Sequence, residues 1–132
     1  MIERIETEEK ILLAIIIRNS YQKEGIEFFT ESHYSQQLGY MKRPSGYTIP
    51  PHKHRMVKRE VLQTQEVLFI RSGKVKVDFF TDDHAFVSST VLNKGDVILL
   101  AAGGHGFEML EESEIIEVKQ GPYEGDEDKI RF

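Results

Sequence analysis

Residues 66–100 read EVLFIRSGKVKVDFFTDDHAFVSSTVLNKGDVILL, and the fold class is decided here. Short runs rich in Val, Ile and Phe are cut by Ser72-Gly73, by Thr81-Asp82-Asp83-His84 and by Asn93-Lys94-Gly95-Asp96. Branched and aromatic side chains fit a pleated surface, and the punctuating residues are those that tight turns favour. The spacing therefore predicts strands over 66–71, 74–80, 85–92 and 97–101. Gly103-Gly104 breaks the last of these before a strand from 105 to 110, and Glu111-Glu112-Ser113 turns into another over 114–120. Regularly spaced short strands indicate an all-β sandwich or barrel.

Working toward the N-terminus, residues 11–18 form a further β-branched run, followed by strands over 26–29 and 38–42. Thr30 is placed to cap one short helical turn over 31–36, since a threonine hydroxyl accepts from the amides at a helix start. With 132 residues the chain suits one domain, 1–132, with strands in 1–42 and a loosely held tail over 121–132.

Composition narrows the function. A net charge of -5 argues against nucleic acid as a partner, because phosphate binding needs a basic stripe. Lys53, His54, Arg55, Lys58 and Arg59 form the nearest thing to one, and a solvated loop is the plain reading. The chain has no cysteine, which removes disulfides and thiolate chemistry and suits a reducing compartment. The most apolar run is too short for a membrane span and is preceded by acids, so neither membrane nor secretory signal is expected and the location reads as cytoplasmic.

Chemistry gathers around His52-Lys53-His54. On a strand, residues two apart share a face, so both imidazoles would project together, and burying them requires a partner for their nitrogens. A metal ion is such a partner. Glu66 opens an apolar strand downstream, with Glu60 a nearer competitor and Gln65 facing the other way, so register decides the carboxylate. His33 and His84 fall in turns and read as surface residues. Gly103-Gly104-His105-Gly106 is not a phosphate cradle, because a strand rather than a helix follows it. Tyr47, Gln63, Arg71 and Lys119 are candidate ligand-facing groups, although Glu117 with Lys119 is most simply a solvent-facing ion pair.

Two segments resemble the motifs of the cupin family. Gly46-Tyr-Thr-Ile-Pro-Pro-His52-Lys-His54 with Glu66-Val-Leu-Phe-Ile-Arg-Ser-Gly73 is similar to the first, and Gly95-Asp-Val-Ile-Leu-Leu-Ala-Ala-Gly103-Gly-His105 to the second. The motif region spans 46–105. The spacer from His54 to Glu66 is longer than the family's, Ala101 replaces a proline, and Met109 stands where asparagine is common. The resemblance implies a double-stranded β-helix, a jelly-roll-like barrel, holding one divalent transition metal through His52, His54, Glu66 and His105. Three imidazoles and a carboxylate suit Fe, Mn, Ni, Zn, Co or Cu rather than calcium. It further implies a small polar or sugar-like ligand, as in cupins of carbohydrate metabolism. A metal-dependent enzyme, a non-catalytic metal-dependent binding module and a structural metal in a dimeric interaction protein all remain open. No catalytic residue and no organic cofactor is assigned. Exposed strand edges make a homodimer plausible, since pairing covers them.

Overall fold

A computed structural model describes all residues, Met1–Phe132, and is nearly all-β. Its strands are β1 (Ile2–Glu6), β2 (Leu12–Ile17), β3 (Gly25–Phe28), β4 (Gly39–Lys42), β5 (Glu66–Ser72), β6 (Lys74–Phe80), β7 (Phe86–Asn93), β8 (Val97–Leu100), β9 (Gly104–Met109) and β10 (Glu114–Lys119). Every pairing is antiparallel. The turn residues read from sequence fall between the strands they were expected to separate. The sequence leads one to expect one domain closed into a barrel. The chain comprises two compact units, residues 1–21 with 64–132 and residues 22–63. None of the sheets closes on itself.

The larger unit holds a five-stranded sheet, β1-β2-β8-β5-β10, and a three-stranded sheet, β7-β6-β9. Ala14, Ile16, Leu68, Ile70, Ile98 and Leu100 from the first meet Val75, Val77, Phe79 and Leu92 from the second in one apolar core. Strand β2 is buried on both faces, with Ile15 and Ile16 both fully covered, which explains its unbroken apolar sequence. Strand β1 was not anticipated as a defined element, because three of its five residues are charged. It pairs along β2 from Ile2 opposite Ile17.

A cluster of polar groups joins the two sheets. The Arg18 guanidinium pairs with Glu3 of β1, donates from Nη1 to Asp96 Oδ2 (2.9 Å) and to the Val91 carbonyl (2.7 Å), and donates from Nη2 to Thr90 Oγ1 (2.9 Å). Asp96, 3% exposed, also accepts from the backbone amides of Asn19 and Asn93, each at 2.8 Å. Gly95, at φ +87°, leads into this cluster, and a side chain there would meet Asn19 Oδ1 at 2.3 Å. Gly73 closes the β5–β6 turn at φ +88°, where a Cβ would lie 2.2 Å from Ser113 Oγ. Both positions require glycine.

The smaller unit contains the β3–β4 hairpin, paired from Gly25 opposite Lys42 to Phe28 opposite Gly39. The helical turn expected over 31–36 does not form. Thr30 accepts from the Leu38 amide (3.2 Å) and donates to Gln37 Oε1 (2.8 Å), while Gln37 Nε2 donates to the Glu31 and Tyr34 carbonyls, both at 2.9 Å. The threonine thus closes an irregular loop rather than capping a helix, as Ser and Thr side chains do when they compete with helix bonds. One 3-10 turn, Gly125–Asp128, is the only helical element. Residues 48–63 have no regular structure and are exposed from end to end.

Replacing Asp96 with alanine leaves Arg18 without its buried partner and two amides without an acceptor. Such losses destabilise by about 3–5 kcal/mol where the remaining charge is buried, and by less where it reaches solvent. Arg18 keeps Glu3, so Asp96→Ala is expected to lower stability by about 3 kcal/mol. Urea unfolding checks this through a lower midpoint at unchanged slope.

Candidate metal centre

Glu66 begins β5 and has the same parity as Leu68 and Ile70, which lie in the core, so its carboxylate points inward. Register thereby turns Glu66 toward the interior. Gln65 is also buried, but it sits before the strand and donates from Nε2 to the Ala101 carbonyl at 3.4 Å. On the facing sheet, His105 in β9 stands opposite Phe79 of β6, one of the buried core residues. Its ring therefore also points inward. The two meet across the interior, with His105 Nε2 3.8 Å from Glu66 Oε2, a separation too long for a hydrogen bond. The side chains are 28% and 14% exposed, so neither is freely solvated.

Their surroundings oppose charge. Burial raises the Glu66 pKa above the ordinary carboxylate value, and Glu117 adds to the shift, while Lys119 and Lys129 act against it. Burial lowers the pKa of His105, with Glu117 opposing and Lys129 assisting. Both groups are thus biased toward their neutral forms by desolvation.

Glu117 and Lys119 are more closely involved than their sequence suggests. In the β10–β5 register Lys119 stands opposite Glu66 and Glu117 opposite Leu68, which puts both on the inward face. Their ion pair spans 3.7 Å, and the Lys119 ammonium lies 5.5 Å from the Tyr123 ring centre. The expected ion pair forms, with Glu117 exposed at 44% and Lys119 half-buried at 26%. The i, i+2 spacing carried the shared face, but only the pairing with β5 shows which face it is.

The C-terminal tail makes several contacts within this unit. Thr64 Oγ1 donates to Asp128 at 3.0 Å, and the Phe132 ring stacks on His84 with centroids 3.9 Å apart and planes 1° from parallel. Phe132 meets Phe80 edge-on at 5.2 Å. His84 is a surface residue as expected, and His33 lies exposed 3.3 Å from Glu31.

His52 and His54 occupy the irregular run 48–63 of the other unit, not a strand. Pro50 and Pro51 precede them and offer no amide hydrogen to a ladder. The two rings lie 5.5 Å apart, inclined by 71°, and His52 Nδ1 is 2.9 Å from the Pro50 carbonyl. Glu60, the competing carboxylate, is exposed in the same run. The structure thus brings Glu66 together with His105, and gathers no group of three or more His, Asp or Glu side chains able to hold a metal ion. Of the other ligand-facing candidates, Tyr47 lies under the Arg43 guanidinium at 4.5 Å, while Gln63 and Arg71 are exposed.

Comparison with known proteins gives no family model, curated protein or solved structure that matches the chain. No helix is long and apolar enough to cross a membrane.

The raised Glu66 pKa fixes a pH dependence. A carboxyl whose folded pKa lies above its unfolded value stabilises the fold less as pH rises through that interval, and the loss is complete above the folded pKa. Glu66→Gln removes the ionisation while keeping the shape. We expect the metal-free variant to gain stability over the parent as pH rises above 4.5, and to keep that gain once Glu66 ionises in the folded parent. Melting temperatures of both proteins across the acid-to-neutral range, in chelator, provide the test; a constant difference refutes the assignment.

Proposed function

We propose that this chain is a cupin-like protein that binds one divalent transition metal ion through Glu66, His105, His52 and His54, and uses it to hold or act on a small polar, sugar-like molecule. The observation that carries the reading is the inward-facing pair Glu66 and His105, one from each sheet, 3.8 Å apart with no hydrogen bond to either side chain. Both side chains are largely withdrawn from water, and a cation between them would engage both at once. The donor chemistry fits a borderline first-row metal: neutral imidazole is favoured at His105, and a cation would draw Glu66 into its ionised form. Glu66 and His105 are two donors of suitable type, and His52 and His54, on an exposed irregular segment, are two further candidates.

Such an ion, with ligand positions left open, polarises a carbonyl, ionises water or grips a chelating ligand. Around it, Lys119 supplies a cation for an anionic oxygen, while Glu117 and the Tyr123 ring border that lysine. A metal-dependent enzyme and a binding module share this arrangement and part only on turnover.

Metal titration by calorimetry into chelator-stripped protein is expected to give one ion per chain, with proton release as the ligands deprotonate. Glu66→Ala or His105→Ala should weaken binding by about 100-fold or more, beyond what loss of a supporting outer-shell group produces. The double change His52→Ala with His54→Ala should weaken it comparably without altering the β-rich circular dichroism. A chain that takes up no ion, or binds equally well after these changes, overturns the reading.

A further inference from the structure

We propose that residues 52–57 of a second copy of this chain add as a strand to the free edge of β9, in a two-fold exchange that gives the same strand back. Strand β9 pairs only with β6, and β10 only with β5. The contact between Glu66 and His105 shows that these two edges lie along the same side of the larger unit. That side is open. Phe107 stands opposite Val77 and Met109 opposite Val75, so both share the face of fully buried core residues. Yet Phe107 is 38% exposed and Met109 49% exposed. The interior therefore lacks cover along one strand's width, next to a row of unpaired backbone groups.

The run 52–57, His-Lys-His-Arg-Met-Val, has the complementary pattern. It follows Pro50-Pro51, contains no proline, and alternates His52, His54 and Met56 on one side with Lys53, Arg55 and Val57 on the other. Met56 is wholly exposed. Added to β9 with Met56 inward, the run covers Phe107 and Met109 and sets Lys53 and Arg55 on the outer face. That face carries Glu108, and Glu111 and Glu112 follow in the next turn. Alternate side chains then match by polarity and charge, as in other strand additions. Within one chain the run forms no ladder, and the turn before it passes through Gly46 at φ +86°. A reciprocal exchange closes the assembly as a dimer, whereas one-way addition would propagate.

Nothing in this pairing requires a metal ion. Combined with the metal reading, it means that His52 and His54 reach the face of His105 from the second copy, so that each centre is completed by its partner.

Because the natural chain has no cysteine, single thiols can be placed cleanly. Chains carrying Lys53→Cys are mixed with chains carrying Glu108→Cys, refolded together in chelator and treated with a short bismaleimide. The expected result is a bridge joining two chains, with a native mass twice the 15.3 kDa of one chain. In the double variant Lys53→Cys with Glu108→Cys, a bridge confined to a monomer assigns the edge to the chain's own segment and overturns the proposal. Absence of a dimer, or a dimer without the 53–108 bridge, overturns it too. Met56→Asp alters a residue fully exposed in the single chain, so the monomer should stay folded while the dimer dissociation constant rises at least about tenfold. A Met56→Asp chain that dimerises as tightly as the parent also refutes the exchange. All these measurements are made without metal, so they stand or fall separately from the metal titration.

Discussion

The fold depends on a polar clamp rather than on the core alone. Two sheets with apolar inner faces slide over one another at little cost unless something fixes their relative position. Arg18, at the end of β2, does so by bonding Glu3 on its own sheet, Thr90 and Val91 on the facing sheet, and Asp96 in the turn between β7 and β8. Asp96 in turn orders the backbone at Asn19 and Asn93. Since every carboxylate oxygen of Asp96 is occupied, the buried charge is both paired and bonded, the condition under which burial is tolerated. The resulting register holds β5 in one sheet and β9 in the other so that Glu66 and His105 meet.

The strands of the larger unit were legible because their periodic apolar runs and turn residues agree with one another. Gly73 and Gly95 mark turns in sequence for the same steric reason that their positive φ demands in three dimensions. The residues that misled are those whose role depends on distant partners. Thr30 carries a helix-cap signal, but Gln37 and Leu38 offer its hydroxyl other bonds. β1 is mostly charged and becomes a strand only because β2 provides an edge. The paired histidines were assigned to a strand from spacing alone, and spacing does not supply the neighbour that a strand needs.

The same distinction applies to the centre. The sequence places Glu66 at the head of an apolar strand, and His105 stands out in it through the resemblance of residues 95–105 to the second cupin motif. Their opposition across the core could not be read from either segment, because it arises from which strands are neighbours. Glu117 and Lys119 share a face by spacing, but the face turned inward only when β10 paired with β5.

Burial of an inward-facing carboxyl and imidazole disfavours their charged forms, and the surrounding architecture limits that effect. The larger unit does so at one end: Ile16, Ile70, Ile98, Val75 and Val77 form a dry core with no exposure, while Glu66, His105, Glu117 and Lys119 collect where Phe107 and Met109 remain partly open. Solvent access on that side reduces the desolvation of the charged groups, and the cover that is missing there is what an added strand would provide. Closing the edge would dry the site further and strengthen every electrostatic interaction within it. The proposed edge pairing and the proposed ion binding would therefore act on one set of residues. A strand that covered Phe107 and Met109 would withdraw Glu66 and His105 further from water, and a cation proposed to engage both would then be held in a drier site.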